Sequence, residues 1–112
     1  MVDSKLEQEI NLMHKRICPG FSDPKRVLIL YALADKELCV TELVDALGFS
    51  QPTTSRHLGI LRERGLVRAE RKGTSVYYSL ADRRLIEALD LLRGVLASQL
   101  AADAELAQSL TD

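Results

Sequence analysis

Residues 40–80 read VTELVDALGFSQPTTSRHLGILRERGLVRAERKGTSVYYSL. A short helix is predicted from Val40 to Leu47, with apolar positions at Leu43, Val44 and Leu47 and a turn at Gly48-Phe49. Ser50 is a good N-cap for a second helix, and Pro52 is tolerated in its first turn, where a missing N–H is harmless. That helix runs to about Arg64, and Gly65 stops it. Leu66 and Val67 open one β-rich run; Ser75, Val76, Tyr77, Tyr78 and Ser79 form another. Lys72-Gly73-Thr74 supplies the tip, with Gly73 free to take positive φ. The order is helix, turn, helix, hairpin: a helix-turn-helix over residues 40–64 and a wing over 66–80. Such a unit sets one helix end and one hairpin against the same DNA surface.

Outward from this stretch, residues 4–18 read as a helix. Leu6, Ile10, Met13 and Ile17 recur at helical spacing along one face, and Pro19-Gly20 ends the run. Another helix follows Ser22 and Asp23, with Pro24 in its first turn and Val27, Leu28, Leu30, Tyr31 and Leu33 largely buried. The last helix begins near Asp82 and reaches toward Leu110. Its stripe of Leu85, Leu89, Leu92, Leu96 and Leu100, broadened by Ile86, Val95 and Leu106, is too wide for a small domain to cover alone. The fold class is therefore mainly α with a small β-hairpin. One domain spans residues 1–112, with helices over 1–20 and 82–110 flanking the helix-turn-helix and wing, and the stripe of the last one asks for a partner surface.

The chain has 112 residues, 46% hydrophobic and only 4% aromatic, so its core must be built from aliphatic side chains. Its net charge of −1 excludes a chain that binds nucleic acid by bulk charge alone. Between Arg56 and Lys72, however, the six basic residues Arg56, Arg62, Arg64, Arg68, Arg71 and Lys72 outweigh Glu63 and Glu70. Positive charge is concentrated where DNA would lie, although a merely solvated face would look similar. Charges at Asp3, Lys5, Glu7 and Glu9 interrupt any signal-peptide run, and no apolar stretch is long enough to span a membrane. Two cysteines do not make a disulfide framework. A cytoplasmic protein with reduced thiols is expected.

With Leu58 taken as the inward direction at about 100° per residue, Thr54 and Leu61 face the core. Pro52, Thr53, Arg56, Ile60 and Glu63 point away. The early outer face then carries Ser50, Gln51, Thr53 and Arg56, side chains suited to base edges and phosphates. His57 lies at the flank, where a phosphate contact and a structural hydrogen bond are equally open to it. Arg71, Lys72 and Thr74 surround the wing tip, placed for a backbone or minor-groove contact or to guard an exposed sheet edge. No phosphate loop, paired catalytic carboxylates or nucleophile triad is present, so no enzyme is expected.

The segment ELCVTELVDALGFSQPTTSRHLGILRERGLV, preceded by SDPKRVLILYAL and followed by RKGTSVYYSL, resembles the ArsR/SmtB family of transcriptional repressors. The resemblance covers roughly residues 20–80 and rests on the Asp-Pro-x-Arg helix start, the Ser-x-His-Leu-x-x-Leu core and the Val-Tyr-Tyr-Ser-Leu strand. It implies a winged-helix homodimer, paired through first and last helices, on a pseudo-palindromic double-stranded operator that an inducer makes it leave. It also implies where a sensor would sit. One family site uses Cys-Val-Cys before the recognition helix; here those positions are Cys39, Val40 and Thr41, so the second thiol is lost. A last-helix zinc site lacks histidine altogether. What remains is His14 and Cys18, four apart on one helix face, with Cys39 brought near them across a dimer. That trio would hold a thiophilic metal or metalloid ion, or its thiols would oxidise together. Two buried, inert cysteines are the bland alternative. At the level of function the alternatives are a winged helix used for protein contact without DNA, and a repressor with no inducer site.

Overall fold

The structure, a computed structural model, describes residues 3–111. It divides into two compact units, one ending at Asp82 and one beginning at Arg83. The first contains α1 (Ser4–Arg16), a 3-10 turn (Cys18–Phe21), α2 (Pro24–Ala32), β1 (Leu38–Cys39), α3 (Val40–Leu47), α4 (Gln51–Glu63), β2 (Val67–Lys72) and β3 (Ser75–Leu80). The second is the single helix α5 (Arg84–Thr111).

Each helix of the first unit starts on a residue that can close its first turn. The Asp3 carboxylate accepts the Leu6 N–H at 2.8 Å, and the Asp23 carboxylate accepts the Lys25 N–H at 2.9 Å. α1 stops at Arg16, two residues before the sequence expectation. The reason is Pro19, which disfavours helical backbone at Cys18 and donates no hydrogen bond; the chain tightens into the 3-10 turn instead. At the far end of α4, Gly65 at φ 73° donates to the Arg62 carbonyl at 3.0 Å, and Leu66 donates to Leu61 at 2.9 Å. This pair of bonds is a Schellman motif, and it keeps Leu66 out of the strand that was expected to begin there.

The sheet is antiparallel with strand order β1-β3-β2. Val67 faces Leu80 and Lys72 faces Ser75, so only Gly73 and Thr74 form the loop, with positive φ at Gly73 alone. That is what a type II′ hairpin requires of its first central residue. β1 adds a third strand that the sequence reading did not contain, pairing Leu38 with Tyr78 and Cys39 with Tyr77. The core is aliphatic, as the composition demanded: Ile29 and Leu30 from α2, Leu33 at its C-cap, Leu38 from β1, Leu43 from α3, Leu58 and Leu61 from α4, then Leu66 and Val67.

Beside this apolar core lies a buried polar pair, Arg26 and His57. Arg26, 8% exposed, donates to the Gly20 carbonyl (3.3 Å), the Pro19 carbonyl (3.0 Å) and the Ser22 hydroxyl (2.9 Å). Its remaining Nη1 lies 2.9 Å from Nδ1 of His57, which is 2% exposed. His57 is therefore a brace inside the domain and is not available to a phosphate. Sequence spacing placed it at the helix flank; the guanidinium that pulls it inward comes from α2.

In α5, Ile86 and Leu89 are buried, while Leu91, Leu92, Val95, Leu96, Leu100, Leu106 and Leu110 are exposed. In α1, considered by itself, Leu6, Ile10, Leu12 and Met13 are exposed and no residue is buried. Among the described residues, no helix is long and apolar enough to cross a membrane.

Two expectations for stability follow from the packing. A Cβ on Gly20 would lie 2.3 Å from Cδ1 of the buried Leu66, so Gly20→Ala should destabilise the domain by about 1–3 kcal/mol, read by urea unfolding. Burial lowers the His57 pKa from its ordinary value, with Arg26, Arg56 and Lys25 adding to the effect and Asp23 opposing it. The unfolded chain then takes up this proton at a higher pH than the folded one. The His57 contribution is complete above pH ~6.5 and declines as pH falls through that value toward the folded pKa. The melting temperature should drop between pH 7.5 and 5.5, and His57→Asn should flatten that part of the profile.

Candidate nucleic-acid interface

The buried side of α4 is Thr54, His57, Leu58 and Leu61. Including His57 rotates the inward direction by roughly 50° from Leu58, at about 100° per residue. The opposite, exposed stripe is then Pro52, Ser55, Arg56, Gly59 and Glu63. Gln51 is also exposed, whereas Thr53 and Ile60 are only partly so. Ser55 is thus an outward-facing hydroxyl next to Arg56 that the Leu58-centred reading missed. Counting His57 as a core residue would have revealed it.

Ser50 and Thr53 are engaged with each other. The Ser50 hydroxyl accepts the Thr53 N–H at 3.3 Å and donates to Thr53 Oγ1 at 2.9 Å. The Thr54 N–H and hydroxyl both go to the Ser50 carbonyl, at 3.0 and 2.9 Å. Pro52 has no N–H to offer. The helix end therefore presents few free amides to a phosphate, and side chains dominate its chemistry. Ser50 caps and remains exposed, so its hydroxyl serves both purposes. The turn before it is held from α2, where the Lys25 ammonium sits 5.8 Å from the Phe49 ring centroid.

On the wing, the alternation of the strand sends Arg71 and Lys72 to opposite faces. Arg71 pairs with Val76 on the face that carries buried Val67; Lys72 lies on the other, with Glu70, Tyr77 and Cys39. Both are exposed, but Lys72 is tied to the Glu37 carboxylate and lies 5.7 Å from the Tyr77 ring centroid. The Glu37 hydrogen bond raises the Lys72 pKa. Lys72 is thus a partly neutralised anchor, and Arg71 is the tip residue more open to a phosphate. Thr74 is exposed in the turn itself.

The candidate sensing residues are spread over three places. His14 is exposed on α1, Cys18 opens the 3-10 turn, and Cys39 closes β1 while capping α3. Both thiols are free and half-buried. The Glu42 carboxylate accepts the Cys39 N–H at 3.0 Å, and this bond, with a further one from the Cys39 side chain, lowers the Glu42 pKa. Among the described residues of one chain, no three His, Cys, Asp or Glu side chains gather as a metal site.

Comparison with known proteins places this geometry. Residues 23–69 match the family described as bacterial regulatory protein, arsR family. An uncharacterised HTH-type transcriptional regulator of Methanocaldococcus jannaschii is 40% identical over 77 residues, which are 68% of this chain and 86% of that protein. The transcriptional repressor SmtB of Mycobacterium tuberculosis is 48% identical over 62 residues, 55% of this chain but only 46% of its own length. Among solved structures, the homodimeric winged helix-turn-helix DNA-binding domain of a possible ArsR-family regulator from Mycobacterium bovis matches with a TM-score of 0.73 and 28% identity, over 88% of this chain and 91% of that one. The family match runs from Asp23, the cap of α2, into β2, and so contains both the helix-turn-helix and the Arg26–His57 brace. The chain belongs to the ArsR/SmtB family of winged helix-turn-helix transcriptional regulators.

Proposed function

We propose that two copies of this chain form a repressor that lays α4 of each subunit into the major groove of one pseudo-palindromic operator. The observation that carries this reading is the outer face of α4. Gln51, Ser55 and Arg56 are exposed on a capped helix whose inner face is fixed by the core, with Ser50 at its start and a hairpin bearing Arg71 in the same unit. Gln51 suits adenine and Arg56 guanine, while Arg71, Lys72 and Thr74 suit the backbone. The exposed leucines of α5 and the apolar positions of α1 support a two-fold dimer, because a stripe of that size needs a partner surface. Half-sites would then lie about one helical turn apart. Occupancy of the promoter blocks transcription, and the protein works in the cytoplasm, where its DNA is.

For release, the reading follows the thiols. Cys39 joins the strand beside the wing to the first helix of the reader, so a metal, metalloid or oxidant acting there would disturb both. Cys18 and His14 would complete such a site only from the partner subunit.

Binding of the purified protein to its upstream promoter should weaken steeply with salt. Gln51→Ala and Arg56→Ala should each cost about 1–3 kcal/mol and relax the sequence preference. Arg71→Ala should weaken all duplexes alike and lower the salt slope by about one per subunit. Lys72→Ala should do less, since Glu37 already holds that ammonium. Salt-insensitive or absent promoter binding would remove the DNA reading. Titration of Cys39→Ser with thiophilic metals, metalloids and oxidants tests the sensor separately: operator release as in the unaltered protein would rule out Cys39.

A further inference from the structure

We infer that Arg26 and His57 are positioning residues for α4, and that their link holds the helix for DNA only while the His57 imidazole is neutral. The inference rests on α4 being the DNA-reading element. Arg26 is always protonated, so its Nη1 must donate to Nδ1 of His57, 2.9 Å away. That fixes the tautomer: Nδ1 carries the lone pair and Nε2 the hydrogen. Nε2 is buried without a hydrogen-bond partner, and Oδ2 of Asp23 lies 3.8 Å from it.

Protonation would place a second N–H on Nδ1, aimed at the Arg26 N–H. Two donors and two positive charges would then meet at the contact that ties α2 to the middle of α4. The other charges facing the imidazole do little to relieve this. Lys25 and Arg26 at the start of α2, and Arg56 on α4 itself, all oppose the imidazolium. Asp23 alone favours it, from a partly exposed position where it already caps α2. The remaining Arg26 donors go to the Pro19 and Gly20 carbonyls and Ser22, on the turn that follows α1. An imidazolium therefore breaks the α4 end of the link and leaves Arg26 attached to the turn. His57 immediately follows Arg56, so a shift at one moves the other.

The test compares promoter-duplex affinity at constant ionic strength between pH 7.5 and 5.5, with circular dichroism confirming that each sample is folded. Wild type should lose up to about tenfold in affinity per pH unit for each subunit once below the folded His57 midpoint, up to about a hundredfold for the dimer, because only the neutral fraction of each ring is competent. His57→Asn keeps an acceptor near the Nδ1 position and cannot titrate; its affinity should stay flat. Asp23→Asn retains a capping oxygen but removes the one negative charge facing the ring. It should lower the pH at which affinity falls, and this variant serves even if His57→Asn does not fold.

Nuclear magnetic resonance gives an outcome independent of any DNA. The His57 ring should carry its hydrogen on Nε2, and the backbone amides of Thr54–Leu61 should shift with the His57 midpoint. A hydrogen on Nδ1, α4 amides indifferent to that midpoint, or equal pH slopes in wild type and His57→Asn would overturn the inference. If the promoter is not bound at any pH, the DNA reading fails, and the ring tautomer and α4 shifts still decide whether the link positions the helix.

Discussion

One guanidinium determines how the helix-turn-helix is seated. Arg26 uses four hydrogen bonds to join the turn after α1, the start of α2 and the centre of α4. Three of its contacts lie within seven residues in sequence; the fourth reaches across 31. A buried charge is costly unless its donors are satisfied, and here carbonyls, a hydroxyl and an imidazole satisfy them without a buried carboxylate. The apolar core beside it would tolerate small rotations of α4, since leucines pack without strong directionality. The directional bond to His57 specifies one rotation, and with it which side chains face outward.

This also explains what the sequence made legible. Local signals were strong where local rules decide structure: α3 and α4, their Gly48 and Gly65 stops, the Ser50 cap and the Gly73 turn all stand where residue chemistry put them. Errors arose where a distant residue intervenes. Sequence spacing leaves His57 ambiguous because its partner lies on another helix, and that ambiguity hides the outward face of Ser55. The tie of Lys72 to Glu37 is invisible in the sequence because the two are 35 residues apart. β1 was missed because two residues carry no periodicity; only its pairing with Tyr77 and Tyr78 makes it a strand.

The two surfaces of the chain divide by chemistry. The α4 and wing side exposes arginines, amides and hydroxyls around a short, well-capped helix. α5 exposes leucines from Leu91 to Leu110, over about 29 Å of helix at the usual rise. Binding DNA demands the first surface, since phosphates reward charge; association of like chains demands the second, since it rewards apolar area. The net charge of −1 reflects their sum and conceals both.

β1 makes the wing less separable than a hairpin usually is. Its second residue, Cys39, pairs with Tyr77 in the wing and then begins α3, while Glu37 just ahead of the strand holds Lys72 near the tip. The information for one wing is therefore written in two places, before the helix-turn-helix and after it. Exchanging hairpins between related regulators by swapping residues 67–80 alone would leave the graft without its third strand and its tip contact. A functional transplant must carry residues 37–39 as well, because in this chain they pair with the wing and hold its tip.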